Sequence, residues 1–435
     1  MLLAGSIPAD LRGRLYRVGP TPVRRGGLAP SHIFDGDGRI DCISFPGDGK
    51  TVELSSRIIE TPEFISEERA DKFLFRGSFG TAGHVSLRKM KNPSNTSLVW
   101  HAGELLALWE GGYARSICPE TLACLGPHTM GGTVSTNPPF TIHHAVDHLA
   151  GMGGHAVSAH PIRDSVTGRM IFMLSTYSPS STKLRFIEFC PDSWDVHSER
   201  SMEIDGFTHV HSFAVTPNDY IFFLPPLSFD ILSFRRGASA LDVVDQKRGP
   251  TRLVRLPRTS GAPQKFEAQQ CYATHVANTT SDSIDYFSTN EIGAGMSLHF
   301  HLGRTTMLSD GTTSSTTLDK CVGEFPTSHP SFSTKKKQHI FYAGSSRSNS
   351  PMDSWIKMNL TTCRKMRHST TGIFHTEPVF VPRGHEEDDD GYLVGFGMDG
   401  QGNYLKIVDA KTMFLECCMR VEGLNMIGLH GIFIK

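Results

Sequence analysis

Four histidines are the side chains of this sequence best suited to metal chemistry. His160, His211, His275 and His430 each lie at or near the edge of an apolar, strand-like run. The intervals between them, 51, 64 and 155 residues, are too wide for a local metal motif. Imidazole nitrogen is a good ligand for Fe, Cu, Zn and Ni. A fold that brought these four segments together would therefore create a nitrogen-rich metal site.

Short β-strands are the elements that would have to position these histidines. The chain contains 42 glycines and 25 prolines, which separate apolar runs such as GRMIFMLSTYS and DYIFFLPPL. Short apolar runs between turn residues predict strands. Residues 60–76, ETPEFISEERADKFLFR, are the main exception and predict one amphipathic helix.

Many short strands without alternating helices indicate an all-β fold, either a propeller or a pair of sandwiches. A chain of 435 residues could form seven four-stranded blades of roughly 62 residues each, as one domain over residues 1–435. The inner strands of a propeller surround one axis, so this fold would let the four histidines converge.

Charge, cysteine usage and the lack of long apolar segments bear on the partners and the location of the protein. The 43 Lys+Arg residues balance 44 Asp+Glu residues, which gives no electrostatic reason to expect nucleic acid or an anionic membrane as a partner. The 9 cysteines show no regular spacing, a pattern typical of a reducing compartment rather than of a disulfide framework. The sequence has no apolar stretch long enough to span a membrane, and its apolar N-terminal run is too short for a signal peptide. We therefore expect a cytoplasmic protein.

Other motifs fail in their context. Residues 151–156 fit a loose GxGxxA pattern, but Pro161 would interrupt the helix that a dinucleotide fold needs there. Residues 35–38 resemble the start of a calcium loop, but Pro46 stands where the bidentate glutamate should be. The acidic run 386–390 is best interpreted as a solvated turn before a strand.

A series of longer motifs follows one order along the chain. They are IPADLRGRLYRVGPTP, FDGDGRI, NTSLVWHAGELLALWEGG, SAHP, HSFAVTP, THVAN, GEFP, TEPVFVPR, EEDDDGYLVGF and GLHGIF. Together they resemble the carotenoid cleavage oxygenases, which include apocarotenoid oxygenases, lignostilbene dioxygenases and the retinoid isomerase of the eye. The resemblance implies a seven-bladed β-propeller with a helical and loop-rich cap over a non-haem ferrous ion, Fe(2+). The positions that match the four ligands are His160, His211, His275 and His430.

The same resemblance implies three glutamates that accept hydrogen bonds from ligating imidazoles. A neutral imidazole binds a metal through one nitrogen, so a carboxylate on the other N–H fixes the tautomer and the ring angle. Buried carboxylates also offset the charge of the metal. The matching residues are Glu110, Glu324 and Glu377, and the implied partners are His211, His275 and His430 respectively.

Four protein ligands on an octahedral ion leave two open positions. In the resembled family a small methyl-bearing residue narrows one of them, and the matching residue here is Thr96. The other position would take O2. The implied reaction is oxidative cleavage of a conjugated C=C bond in a carotenoid or apocarotenoid, a lipophilic substrate, to two carbonyl products.

Three alternatives stay open at this point. In stilbene-cleaving members we expect a lysine before the first glutamate, where this chain has Trp109. A retinoid-type isomerase would use the same metal ligands. A propeller that binds apocarotenoids without turnover would need the histidines but no open position for O2.

Two further expectations concern the region around His211. Residues 208–223, THVHSFAVTPNDYIFF, predict a strand with His209 and His211 near its start and on one face. We expect His209 to be a neighbour of the site or a hydrogen-bonded packing residue rather than a ligand. The segment after it predicts either a core-facing strand and loop or an apolar patch that touches a membrane peripherally. The side chains of that patch are Leu227, Phe229, Ile231, Leu232 and Phe234.

Overall fold

Antiparallel β-sheets make up most of the protein. The computed structural model describes residues 1–80, 86–137, 140–141, 145–150, 154–290, 292, 299–347, 351–370, 372–424 and 428–435, and for residues 86–88 the backbone alone. In these ranges, seven sheets of four to six strands form the blades of a β-propeller. The predicted all-β propeller is therefore confirmed.

The first four blades contain most of the N-terminal half of the chain. Blade 1 contains β2 (Gly13–Thr21), β3 (Asp37–Phe45), β4 (Glu53–Ile58) and the C-terminal β35 (His430–Ile434). Blade 2 contains β7 (Ser97–His101), β8 (Glu104–Leu108), β9 (Arg115–Ile117) and β10 (Cys124–Pro127). Blade 3 contains β11 (Ala156–Val157), β12 (Ile162–Arg163), β13 (Met170–Tyr177), β14 (Ser181–Phe189) and β15 (Val196–Asp205). Blade 4 contains β16 (Ala214–Val215), β17 (Asp219–Leu224), β20 (Thr251–Pro257) and β21 (Gln264–Ala268).

The other three blades follow in chain order. Blade 5 contains β22 (Tyr272–Thr279), β23 (Ser283–Thr289), β24 (His301–Met307) and β25 (Thr313–Asp319). Blade 6 contains β26 (Gly323–Thr327), β27 (His339–Gly344), β28 (Ser354–Asn359) and β29 (Lys365–Ser369). Blade 7 contains β30 (Phe374–His375), β31 (Val379–Pro382), β32 (Gly391–Asp399), β33 (Gly402–Asp409), β34 (Leu415–Val421) and the N-terminal β1 (Leu2–Gly5).

Short elements between the blades complete the described structure. Two small sheets pair β5 (Phe75–Arg76) with β6 (Ser86–Met90) and β18 (Leu227–Phe229) with β19 (Val244–Gln246). The helices are α1 (Pro62–Ala70), α2 (Ala145–Ala150), α3 (Ile231–Arg235) and α4 (Ala240–Val243), and single 3-10 turns lie at Ile33–Asp35 and Pro330–Phe332. Among the described residues, no helix is long and apolar enough to cross a membrane.

The core lies between neighbouring blades, as β13 illustrates. Phe172 and Leu174 of this strand pack against blade 2, whereas Ile171 and Met173 pack against blade 4. Alternate side chains of β13 therefore face two different sheets, and all eight of its residues are buried. This explains why the strand reads MIFMLSTY, a nearly continuous apolar run, instead of alternating with polar residues.

Both chain ends close the ring. The C-terminal β35 pairs with β2, with Val18 opposite His430, and supplies the inner strand of blade 1. The N-terminal β1 pairs with β34 at the outer edge of blade 7. His430 therefore reaches the axis only when the last strand of the chain has docked beside the second.

The side chain of Arg17, on β2, stabilises the closure of the propeller ring. Its guanidinium donates hydrogen bonds to the carbonyl oxygens of Glu377 at 2.8 Å, Gly428 at 2.8 Å and Leu429 at 3.2 Å. The side chain is buried, and burial lowers its pKa to about 10. The Arg17 guanidinium thus binds the backbone of blade 7 and also the backbone that leads into β35.

The helix predicted over residues 60–76 is shorter than expected. Thr61 caps its N-terminus by accepting from the Phe64 N–H, and Pro62 occupies its first turn. Asp71, at φ 46°, adopts the left-handed conformation that ends the helix, so the prediction was wrong beyond residue 70. The residues that follow form a turn and then β5.

The five side chains predicted to form an apolar membrane patch do not form a continuous exposed surface. Leu227 and Phe234 are buried, Phe229 and Ile231 are partly buried, and Leu232 is 61% exposed. Four of the five side chains pack into the protein, where Phe234 belongs to the same apolar cluster as Trp109. The prediction that these five side chains form an exposed apolar surface was therefore wrong.

The acidic run 386–390 is likewise not a simple solvated turn. Asp388 and Asp389 are buried. Asp388 accepts from Nδ1 of His339 at 2.8 Å, and Asp389 pairs with Nζ of Lys357 at 2.7 Å. The carboxylates of Asp388 and Asp389 already contact His339 and Lys357. We therefore interpret these four side chains as a structural network that anchors β32 rather than as a metal site.

We predict that replacing Arg17 with methionine weakens the closure of the ring. Three carbonyl groups would lose their buried donor, so the free energy of unfolding should fall by about 2–4 kcal/mol. Denaturant titration followed by tryptophan fluorescence measures this change. Arg12→Met is the control, because Arg12 is exposed and its loss should change stability by less than about 0.5 kcal/mol. Equal stability of the two variants would contradict the role given to Arg17.

Candidate metal centre

The four predicted histidines converge on the propeller axis. His160 lies between β11 and β12, His211 lies three residues before β16, His275 lies within β22, and His430 begins β35. The ring centroid of His160 lies 4.4 Å, 4.6 Å and 4.9 Å from those of His211, His275 and His430. Inner strands of different blades therefore bring together side chains that are up to 270 residues apart in the sequence.

The strand predicted to start near residue 208 begins later than expected. Regular pairing starts at Ala214, and residues 207–213 have an irregular backbone. His209 and His211 do not share a strand face. The irregular backbone at the inner edge of blade 4 nevertheless lets both side chains contact Glu110. The prediction of a strand was therefore wrong for the segment that carries both histidines.

A carboxylate stands behind three of the four imidazoles. Nδ1 of His211 lies 2.5 Å from Oε1 of Glu110. Nδ1 of His275 and Oε2 of Glu324 are 2.7 Å apart, and Nδ1 of His430 and Oε1 of Glu377 are 2.8 Å apart. These are the pairs that the family resemblance implies. Since an ionised carboxylate only accepts, each neutral ring must carry its proton on Nδ1 and leave Nε2 as a lone pair.

Two of these glutamates are themselves fixed by the backbone. Oε2 of Glu324 accepts from the N–H of Phe325 at 2.7 Å, and its other oxygen accepts from the Thr274 hydroxyl. Phe325 adopts a φ of 60°, an uncommon conformation for an aromatic residue, beside a bulge in the pairing of β26 with β27. Oε2 of Glu377 accepts from the N–H of Gly431 at 2.8 Å.

The Nε2 atoms of two of these rings face each other. Nε2 of His211 lies 3.4 Å from Nε2 of His275, and both atoms are lone-pair acceptors when Nδ1 is protonated. Nε2 of His160 is buried and has no hydrogen-bond partner among the described residues. Facing lone pairs repel each other, and a shared cation would convert this repulsion into ligation. The donor set therefore fits a first-row transition metal that is bound by neutral imidazoles.

Burial and charge adjust the protonation of these groups. Burial, reinforced by the other three histidines, lowers the pKa of His160 well below its usual value. Burial would lower the pKa of His211 too, but the Glu110 carboxylate outweighs it and raises that pKa. Burial opposes ionisation of Glu110, yet His211 and His209 together hold its pKa below its usual value. Glu110 is thus an ionised acceptor at neutral pH.

Thr96 lies beside the strand that leads to Glu110. Its backbone N–H donates to the carbonyl oxygen of Leu108 at 3.1 Å, and its hydroxyl donates to Oδ1 of Asn95 at 3.3 Å. These contacts place Thr96 at the start of β7, next to the end of β8. They do not test its predicted effect on an open metal position, which stays a prediction.

Sequence reasoning missed Tyr272, whose hydroxyl lies 2.8 Å from Nδ1 of His209. Three positions separate Tyr272 from His275, so regular alternation would place them on opposite faces of β22. A register shift between Ala273 and Val276 changes this relation. The sequence gives no clear indication of such a bulge. The only indication of a role for Tyr272 is that an aromatic residue lies close to a predicted ligand in the sequence, and this indication is weak.

Comparisons with known proteins agree with this architecture. The family model described as RPE65, retinal pigment epithelial membrane protein, matches residues 1–435. An apocarotenoid-15,15'-oxygenase from Synechocystis sp. is 29% identical over 443 residues, covering 94% of this chain and 87% of that protein. A carotenoid 9,10(9',10')-cleavage dioxygenase 1 from Phaseolus vulgaris is 27% identical over 499 residues, covering 99% of this chain and 85% of that protein.

A solved structure shares the fold over almost the whole chain. The structure of cobalt-substituted Synechocystis ACO superposes with a TM-score of 0.87 at 26% sequence identity. The match covers 99% of this chain and 94% of the other.

We predict that metal retention depends on His211. After loading with Fe(II) without oxygen and desalting, the wild-type chain should keep about one metal ion, whereas His211→Ala should lose it, because one donor and the link to Glu110 disappear together. Elemental analysis by mass spectrometry measures the metal content. His197→Ala, an exposed histidine on β15, is the control and should retain metal. Full occupancy in His211→Ala would remove this residue from the ligand set.

Proposed function

The chain belongs to the RPE65/carotenoid cleavage oxygenase family, and we propose that it is an Fe(II)-dependent dioxygenase. The proposed substrate is a carotenoid or apocarotenoid, and the reaction uses O2 to split one conjugated C=C bond into two carbonyl products. The observation that carries this proposal is the convergence of four imidazole rings, three of which have a carboxylate at Nδ1, with the Nε2 atoms of His211 and His275 facing each other.

We propose His160, His211, His275 and His430 as the residues that hold the iron. When bound there, Fe(II) would supply the activation of O2 that cleavage of a polyene requires. Glu110, Glu324 and Glu377 would keep each attached ring in the Nδ1–H tautomer, and their negative charge would offset that of the metal.

Apolar surroundings suit a polyene substrate better than an ionic one. The ring of Phe325 lies 5.9 Å from that of His275 and 5.5 Å from that of His430 by centroid distance, so it covers one side of the site. Trp109, directly before Glu110, is buried in an apolar cluster with Phe234. These rings present no acid or base to a substrate that has no acidic proton.

Trp109 also favours a carotenoid or apocarotenoid over a stilbene. Recognition of a phenol oxygen would need a polar or cationic side chain, and a buried indole in an apolar cluster does not supply the positive charge of a lysine. Thr96 is proposed to narrow the space beside the metal, on the grounds of its family position and its place beside the end of β8.

We predict that the Fe(II)-loaded chain cleaves polyenes with incorporation of oxygen from O2. Purified protein is offered carotenoids, apocarotenals and hydroxystilbenes under ¹⁸O2, and products are identified by mass spectrometry. Two labelled carbonyl fragments from a polyene are the expected result, with the metal-free chain as the control.

Other outcomes would each contradict the proposal in a different way. Cleavage of hydroxystilbenes alone would make the chain a stilbene oxygenase. Isomerised polyene without label would make it an isomerase. Saturable polyene binding without any product, at full iron occupancy, would make it a binding protein.

A further inference from the structure

Glu110 is held differently from the other two glutamates of the candidate metal centre. Oε2 of Glu324, the oxygen that faces His275, also accepts from the backbone N–H of Phe325, and the second oxygen of Glu377 accepts from the backbone N–H of Gly431. The second oxygen of Glu110, Oε2, instead lies 3.3 Å from Nε2 of the His209 side chain. Among the described contacts, the carboxylate behind His211 is therefore oriented by a second side chain, whereas each of the other two accepts a backbone N–H.

His209 is in turn held by Tyr272. Nδ1 of His209 and the hydroxyl oxygen of Tyr272 are 2.8 Å apart, and the two rings are nearly parallel at 13° with centroids 6.2 Å apart. Since ionised Glu110 can only accept, Nε2 of His209 must be the donor. In the neutral ring Nδ1 is then an acceptor, and the Tyr272 hydroxyl donates to it.

These groups form one continuous series of polar contacts. It runs from the Tyr272 hydroxyl through the His209 ring to Oε2 of Glu110, whose Oε1 lies 2.5 Å from Nδ1 of His211. Tyr272 belongs to β22, the strand that also carries His275. The series therefore ties the ligand of blade 4 to the strand that carries the ligand of blade 5.

We propose that His209 and Tyr272 are positioning residues for the metal centre. They fix the carboxylate plane of Glu110, and through it the ring angle and the Nδ1–H tautomer of His211. His209 itself is not a ligand, because both of its nitrogens are engaged and its ring centroid lies 6.5 Å from that of His211. This inference rests on the proposed function, since it requires a metal at the four histidines.

A packing role would predict different behaviour from a positioning role. Tyr272→Phe keeps the buried ring and removes the hydroxyl alone, so a packing role predicts unchanged metal binding. His209→Gln keeps an N–H that can donate to Glu110, whereas His209→Phe keeps the bulk and removes the donor. Tyr286→Phe is the matched control, because Tyr286 is a buried tyrosine of the adjacent strand whose hydroxyl lies 2.9 Å from Oγ1 of Thr305.

We predict graded losses of Co(II) affinity, measured by competition with a chelator, together with changes in the visible spectrum of the bound Co(II). His209→Phe should bind about 10- to 100-fold more weakly, as expected when a partner behind a metal ligand is removed. Tyr272→Phe should bind roughly 3- to 10-fold more weakly, and His209→Gln should restore most of the affinity. The Tyr286→Phe control should match the wild type in affinity and spectrum.

The double variant tests whether the two residues act in one series. If they do, His209→Phe with Tyr272→Phe should lose no more affinity than His209→Phe alone, because the hydroxyl acts only through the imidazole. Wild-type affinity and spectrum in both single variants would overturn this inference while leaving the proposed function intact. A wild-type chain that binds no Co(II) would overturn the proposed function, and this inference with it.

Discussion

Each imidazole at the axis of this protein has two nitrogens, and both must be satisfied in a buried site. The carboxylates of Glu110, Glu324 and Glu377 engage Nδ1 in three rings, which leaves Nε2 to face the axis. This constraint links the chemistry of the site to the fold. An imidazole with an unfixed tautomer would be both a poorer ligand and a buried polar group without a partner.

For two of the three pairs, the propeller meets this constraint by placing ligand and carboxylate on neighbouring blades. His275 lies in the inner strand of blade 5, and Glu324 lies in the inner strand of blade 6, which packs beside it. Glu377 belongs to blade 7 and reaches His430 on the strand that closes blade 1. These two pairs therefore form only when neighbouring blades have docked, so the geometry of the site depends on correct assembly of the ring. Arg17, which binds carbonyl groups on both sides of this closure, serves stability and site geometry together.

The sequence predicted the large-scale structure better than the local structure. Glycine and proline spacing indicated many strands, and the ordered motifs implied seven blades and the pairing of glutamates with histidines. The predictions of a strand that starts near residue 208 and of a helix over residues 60–76 failed where the backbone leaves regular geometry. These places are the irregular inner edge of blade 4 and the left-handed Asp71. Pattern arguments assume regular alternation and cannot locate such departures.

The sequence also failed to predict which charged and apolar side chains are buried. Leu227 and Phe234 pack inward, although their segment reads as an apolar surface, and Asp388 is buried, although it lies in an acidic run. In each case the partner lies far away in the sequence, so local composition gives no indication of it. Tyr272 was missed for the same reason, because its partner His209 belongs to another blade.

Crystals of the Fe(II)-loaded chain, with anomalous diffraction recorded at the iron absorption edge, test the central claim most directly. This account predicts one anomalous peak on the propeller axis, within bonding distance of Nε2 of His160, His211, His275 and His430, with the three glutamates one layer further out. A peak bonded to a carboxylate oxygen of Glu110, Glu324 or Glu377, or a peak away from the four histidines, would contradict it.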